Sequence, residues 1–104
     1  MVLKGEHMKK LLAPDGKKNF VGPRVRLLRK NAHLSQERLM RDLQLRGMDS
    51  ERGVIKRIEN GERFVSDIEI KLLAEYFHVS YEYLIDGTEE HWTSVGRTIP
   101  NRGF

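Results

Sequence analysis

The chain has 104 residues, a formal charge of +4, four histidines and no cysteine; that length suits one small domain, and the missing thiols exclude disulfides and thiolate metal centres. No apolar run approaches membrane-spanning length, and Leu11-Leu12-Ala13 is too short for a signal-peptide core, so a cytoplasmic protein is expected. Residues 1–30 hold Lys4, Lys9, Lys10, Lys17, Lys18, Arg24, Arg26, Arg29 and Lys30 against Glu6 and Asp15, an excess that fits an anionic partner such as nucleic acid or a solvated arm.

Residues 1–18 carry the turn signal Pro14-Asp15-Gly16 and no sustained period, and read as a basic flexible arm; residues 1–7 have the look of a cloning leader before His7-Met8. The folded part is expected over 19–87 and is helical throughout. A first helix starts between Asn19 and Pro23, with Asn19 as a cap and Val21, Val25 and Leu28 facing inward. Ser35 caps a second helix that buries Leu39, Met40 and Leu43 and runs to about Arg46; Arg38 at its third position denies it a capping box. Gly47-Met48-Asp49 makes a turn. Asp49, Ser50 or Glu51 then starts a third helix over about 51–60, with Val54, Ile55 and Ile58 buried and Gly61 as its stop.

Ser66-Asp67-Ile68-Glu69 is a capping box for a fourth helix with Ile70, Leu73, Ala74 and Phe77 on one face. Ser80 caps a short fifth helix that stops at Asp86-Gly87. His33-Leu34-Ser35 and His78-Val79-Ser80 repeat one device: a helix ends on His, an apolar residue plugs the core, and Ser starts the next helix. Histidine tolerates positive φ better than most residues, so both are expected in the left-handed region. Residues 88–104 read as a mostly disordered tail. Trp92, with Glu89, Glu90 and His91, marks a docking point for a partner or simply part of that tail.

The third helix presents Arg52, Gly53, Lys56 and Arg57 opposite Ile55 and Ile58. Arginine grips guanine O6 and N7 through two parallel bonds, and Gly53 would let the helix approach a groove closely. The N-terminus of the second helix, with Gln36, suits a phosphate. A solvated cationic face is the bland alternative. Tyr81, Tyr83, Leu84 and Ile85 exceed what a short helix needs for one core and form a candidate dimer seam.

Val21…Val25…Leu28-Arg29…Leu34-Ser35-Gln36-Glu37…Leu39…Ile55…Ile58-Glu59-Asn60-Gly61…Arg63…Val65-Ser66-Asp67…Leu73-Ala74…Phe77…Val79-Ser80 resembles the phage-repressor-like (Cro/XRE) helix-turn-helix family, in a subgroup with a lengthened second helix and turn. The resemblance covers about 19–86. It implies an all-α, five-helix, lambda-repressor-like DNA-binding domain of a prokaryotic or phage regulator, most often a repressor, working as a homodimer on double-stranded DNA without a cofactor. By resemblance Gln36, Asn60 and Arg63 contact phosphates, Arg52, Gly53 and Arg57 face base edges, and Arg29 and Glu59 form a partly buried structural salt bridge; Lys56 joins the base-facing set by its place on the same side of the helix. The chain departs from the family where Glu51 replaces a capping Ser or Thr and Glu62 replaces a Lys.

The competing hypothesis is a protein-binding module on the same scaffold, such as an antitoxin-like partner, working through the fifth helix or the tail. His7, His33, His78 and His91 lack metal-ligand spacing. There is no Ser-His-Asp order, and Gly16-Lys17-Lys18 lacks the upstream glycine of a phosphate loop, so neither a metal site nor an enzyme is expected.

Overall fold

Serine caps set most helix starts in the structure, a computed structural model that describes residues 11–48 and 51–88. Among the described residues there are five helices and no strand: α1 Gly22–Asn31, α2 Gln36–Leu45, α3 Val54–Glu59, α4 Asp67–Phe77 and α5 Tyr81–Asp86. None is long and apolar enough to cross a membrane. The hydroxyls of Ser35, Ser66 and Ser80 accept from the N–H groups of Arg38, Glu69 and Tyr83 at 2.9, 3.2 and 3.0 Å. Ser66 completes a capping box, its own N–H donating to Glu69 Oε1 at 3.0 Å.

Each of these bonds satisfies an N–H that the first turn of a helix leaves without an internal partner. Ser66→Ala should therefore lower the unfolding free energy by about 1 kcal/mol with helix content unchanged. Urea unfolding followed by circular dichroism checks this; an unshifted midpoint would mean that Glu69 holds the turn without the hydroxyl.

His33 and His78 adopt φ of 59° and 58°. The chain turns back there, and the N–H groups of Leu34 and Val79 reach Arg29 O and Ala74 O at 3.1 and 3.0 Å. Both histidines thus close helices, in keeping with the repeated His-apolar-Ser device. The start of α1 is less regular. Val21 occupies the cap position without a side-chain bond, and Asn19 Oδ1 takes the Gly22 N–H at 2.9 Å. The Asn19 amide also donates to Ile58 O at 3.1 Å and Arg63 O at 2.8 Å, so one side chain joins the start of α1 to the end of α3.

α1 packs on α3 and α5, α2 on α3 and α4, and α4 on α5. Val25, Leu39, Leu43, Ile58, Leu73 and Leu84 are completely enclosed where these elements meet. Burying each such side chain is worth roughly 1.5–3 kcal/mol before chain entropy is charged against it. Met48 plugs the core from the turn after α2, a role the sequence pattern did not reveal. Tyr76 Oη donates to Asp42 Oδ2 at 2.6 Å, and the Arg46 guanidinium lies 5.0 Å from the Tyr76 ring centroid, which fastens α4 to α2. The Tyr76 bond, with Arg38 beside it, holds the Asp42 carboxyl below its ordinary value.

Four expectations need correction or limits. Residues 11–18, expected as a mobile arm, form a turn in which Gly16 N–H bonds Ala13 O (2.8 Å) and Lys18 N–H bonds Gly61 O (2.8 Å). The Pro-Asp-Gly turn doubles the chain back and brings lysine 18 to the open carbonyl at the end of α3. The third helix begins at Val54 and not near 51, because Gly53 stands before it at φ +77°. Gly53 serves a left-handed backbone, which by itself accounts for a glycine at this position. Tyr83 and Leu84 are core residues, 3 % and 0 % exposed, and cannot form an outward seam; the two-turn α5 must bury them to close over α1 and α4. The expectations for Asp49 and Ser50, for residues 1–10, and for Glu89, Glu90, His91, Trp92 and the rest of 89–104 concern positions outside the described residues.

Candidate nucleic-acid interface

One carboxylate organises the residues that matter most. Glu59, in the last turn of α3 and 5 % exposed, accepts from Arg29 Nε at 2.6 Å and Arg29 Nη2 at 3.1 Å. Arg29 is itself buried in α1, and its Nη1 donates to Leu34 O at 2.8 Å. Gln36 Nε2, from the first turn of α2, donates to Glu59 Oε1 at 3.0 Å, and Arg26 Nε approaches the same oxygen at 3.4 Å. Burial alone would push the Glu59 carboxyl up. The bonds from Arg29, Gln36 and Arg26 outweigh burial and hold it below its ordinary value. The pair is more deeply buried than the partly buried bridge expected from sequence. A single side chain thereby fixes α1, the N-terminus of α2 and the end of α3 relative to one another.

Between α2 and α3 lies an open groove of about 520 Å³ lined by Gln36, Arg41, Gln44, Arg52, Gly53 and Lys56, with Glu37 and Glu51 on it as well. Arg52 and Lys56 are exposed there. Arg57 is turned toward the start of its own helix, its Nη1 donating to Arg52 O at 3.1 Å and its Nη2 to Glu51 Oε1 at 3.3 Å. Exposed pairs of this kind contribute little, so the arginine is held weakly and is available to a stronger acceptor.

The other expected contacts divide. Asn60 caps α3, and its Oδ1 accepts from Arg26 Nη2 at 2.8 Å. Arg63 sits apart from this group: its two terminal nitrogens bond Glu69 at 3.0 and 2.9 Å, and Nη1 also reaches Phe64 O. It is a strut between the loop after α3 and the start of α4, and its bonds hold Glu69 below the ordinary carboxylate value. Of the expected seam, Tyr81 is half-exposed. Ile85 lines an apolar recess of about 390 Å³ together with Leu11, Leu12, Phe20 and Ile70.

Sequence reasoning missed Arg41 and Gln44. They stand four and seven positions after Glu37, the spacing of one helix face, and with it they line the groove. It also missed Arg26 and Lys17 beside Asn60, for which no local signal exists. Among the described residues no group of three His, Asp or Glu side chains is placed to hold a metal ion. No protein-family model, curated protein or solved structure matches the chain.

Proposed function

We propose that this protein is a sequence-specific, double-stranded DNA-binding regulator of the phage-repressor-like helix-turn-helix kind, with α3 as the recognition helix and a lambda-repressor-like arrangement of its five helices. The observation that carries this reading is the Glu59 junction. It holds Gln36 at the start of α2 in fixed register with α3, whose free side carries Lys56 and Arg57, with Arg52 just ahead of its first turn. Duplex recognition by such a motif needs that coupling: one helix end fixes register on phosphates while the next helix reads base edges.

The α2–α3 groove faces the major groove in this mechanism, with Arg52, Lys56 and Arg57 on bases and Gln36 and Asn60 on phosphates. Glu51 opposes the binding of anions, and Arg57 must exchange it for a base edge on docking. A homodimer would read two half-sites one helical turn apart and repress by occupying its operator. The apolar recess at Leu11, Leu12, Phe20 and Ile85 favours a second reading, a protein-docking module.

Binding to duplex from the protein's own upstream region, compared with random duplex at about 50 and 200 mM salt, decides between them. The DNA reading expects tighter binding to the upstream duplex and a steep loss with salt. Arg57→Ala should then cost about 1–3 kcal/mol at one base pair and leave the fold intact. Discrimination unchanged by that substitution would remove Arg57 from the base-reading set.

A further inference from the structure

We infer that Lys17 and Arg26 form, with Asn60, a seat for a backbone phosphate of the bound duplex at the C-terminal end of α3. This rests on the DNA-binding reading above and extends the contact surface onto α1 and the segment before it. The three residues line one open recess of about 590 Å³. Lys17 Nζ donates to Asn60 O at 3.2 Å, and Arg26 Nη2 donates to Asn60 Oδ1 at 2.8 Å. The second bond assigns the Asn60 amide its orientation, with the oxygen toward Arg26 and the NH2 left to donate elsewhere. Two cations and an amide donor thus meet beside the final turn of the recognition helix.

The placement of Lys17 is built into the backbone. Its aliphatic stem lies across Gly61, which sits at φ +76° and where a Cβ would stand 2.6 Å from Lys17 Cδ and push the stem aside. The Asp15 side chain accepts the Lys17 N–H at 2.9 Å, and Lys18 N–H bonds Gly61 O at 2.8 Å. An ordinary solvated lysine requires none of these fixings. Three other charged groups that line the recess are already engaged. Arg24 donates to the carbonyls of Phe20, Leu84 and Ile85; Asp15 bonds within its own turn; Glu59 is saturated by Arg29, Gln36 and Arg26. Glu62 is exposed on the rim and opposes an anion there.

The test is duplex binding by the full chain, read as fluorescence anisotropy across a salt series, for the wild type, Lys17→Ala, Arg26→Met and Glu62→Gln. Each cation removed should flatten the slope of log K against log salt by about 0.9 for every protomer bound. It should weaken specific and random duplex alike, since phosphates carry no sequence. Glu62→Gln should bind several-fold more tightly at about 50 mM salt, with the gain shrinking at about 200 mM. That gain cannot arise from misfolding, and Lys17→Ala leaves the Glu59 junction untouched. A wild type that binds while Lys17→Ala keeps the full slope and Glu62→Gln gains nothing would overturn the phosphate seat and leave the DNA-binding reading standing. A wild type that binds neither duplex overturns both.

Discussion

Glu59→Ala is expected to lower the unfolding free energy by about 3–5 kcal/mol, because it strands the Arg29 guanidinium in the interior without a counter-charge. Small domains hold about 5–15 kcal/mol in total, so the variant should be partly unfolded near physiological temperature. The cost belongs to the unpaired charge more than to any net strength of the bridge. The double variant Arg29→Met/Glu59→Leu should accordingly recover much of the loss, and urea unfolding of the single and double variants measures the coupling. If the double variant unfolds as readily as the single, the Arg29–Glu59 pair is a net source of stability and this account of the junction is wrong. On the proposed DNA-binding function, even the recovered variant should bind duplex weakly, since Gln36 has lost the carboxylate that positions it.

Acid should act on the same junction. Glu59, Glu69 and Asp42 all have carboxyls depressed on folding. A depressed carboxyl adds stability above its unfolded pKa and loses it as pH falls through the folded value. Wild-type stability should therefore decline as pH drops below the ordinary Glu value of 4.5. A urea midpoint constant from pH 6 to pH 3 would contradict that.

The second large effect is expected at Gly22, where sequence rules point the wrong way. In the first turn of α1, alanine is favoured over glycine by roughly 0.5–1 kcal/mol of backbone entropy. Here a Cβ would lie 2.4 Å from Ile58 O and 2.8 Å from Glu59 O. Both obstacles are backbone atoms of α3, so relief requires α3 to move. Overpacking of this kind costs about 1–3 kcal/mol and exceeds the entropic gain. Gly22→Ala should thus destabilise by about 2 kcal/mol; if the protein binds duplex as proposed, binding should weaken as well, since Asn60 and Arg26 meet at the same α1–α3 crossing. Thermal unfolding of the variant is the check; a neutral or raised midpoint would mean that α1 and α3 are not in backbone contact.

These two positions show how differently the chain discloses itself. Ser35, Ser66, Ser80, His33, His78 and the apolar faces of α2 and α4 could be read in sequence because caps and helical periods are local. The partners involved lie within a few residues, and the physics is complete inside that window. Gly53 shows where that window ends. A glycine in a helical pattern looks like a groove-facing position, and only the backbone reveals that it precedes the helix at positive φ. Tyr83 and Leu84 were misjudged because a two-turn helix has too few residues to show which side faces the core.

By itself the sequence determined the helical class, the helix ends at Ser and His, and the grouping of cations on α3, all of which follow from side-chain chemistry within one or two turns. The tertiary structure alone decided that Asn19, Arg26 and Gln36 converge on the end of α3, that Arg63 turns toward Glu69 and away from that cluster, and that Lys17 rests on Gly61. Those contacts join residues from 6 to 44 positions apart. Apart from the Arg63–Glu69 strut, they exist because packing α1 against α3 places a buried carboxylate, a glycine without a side chain and the carbonyls of Ile58 and Arg63 at the same crossing.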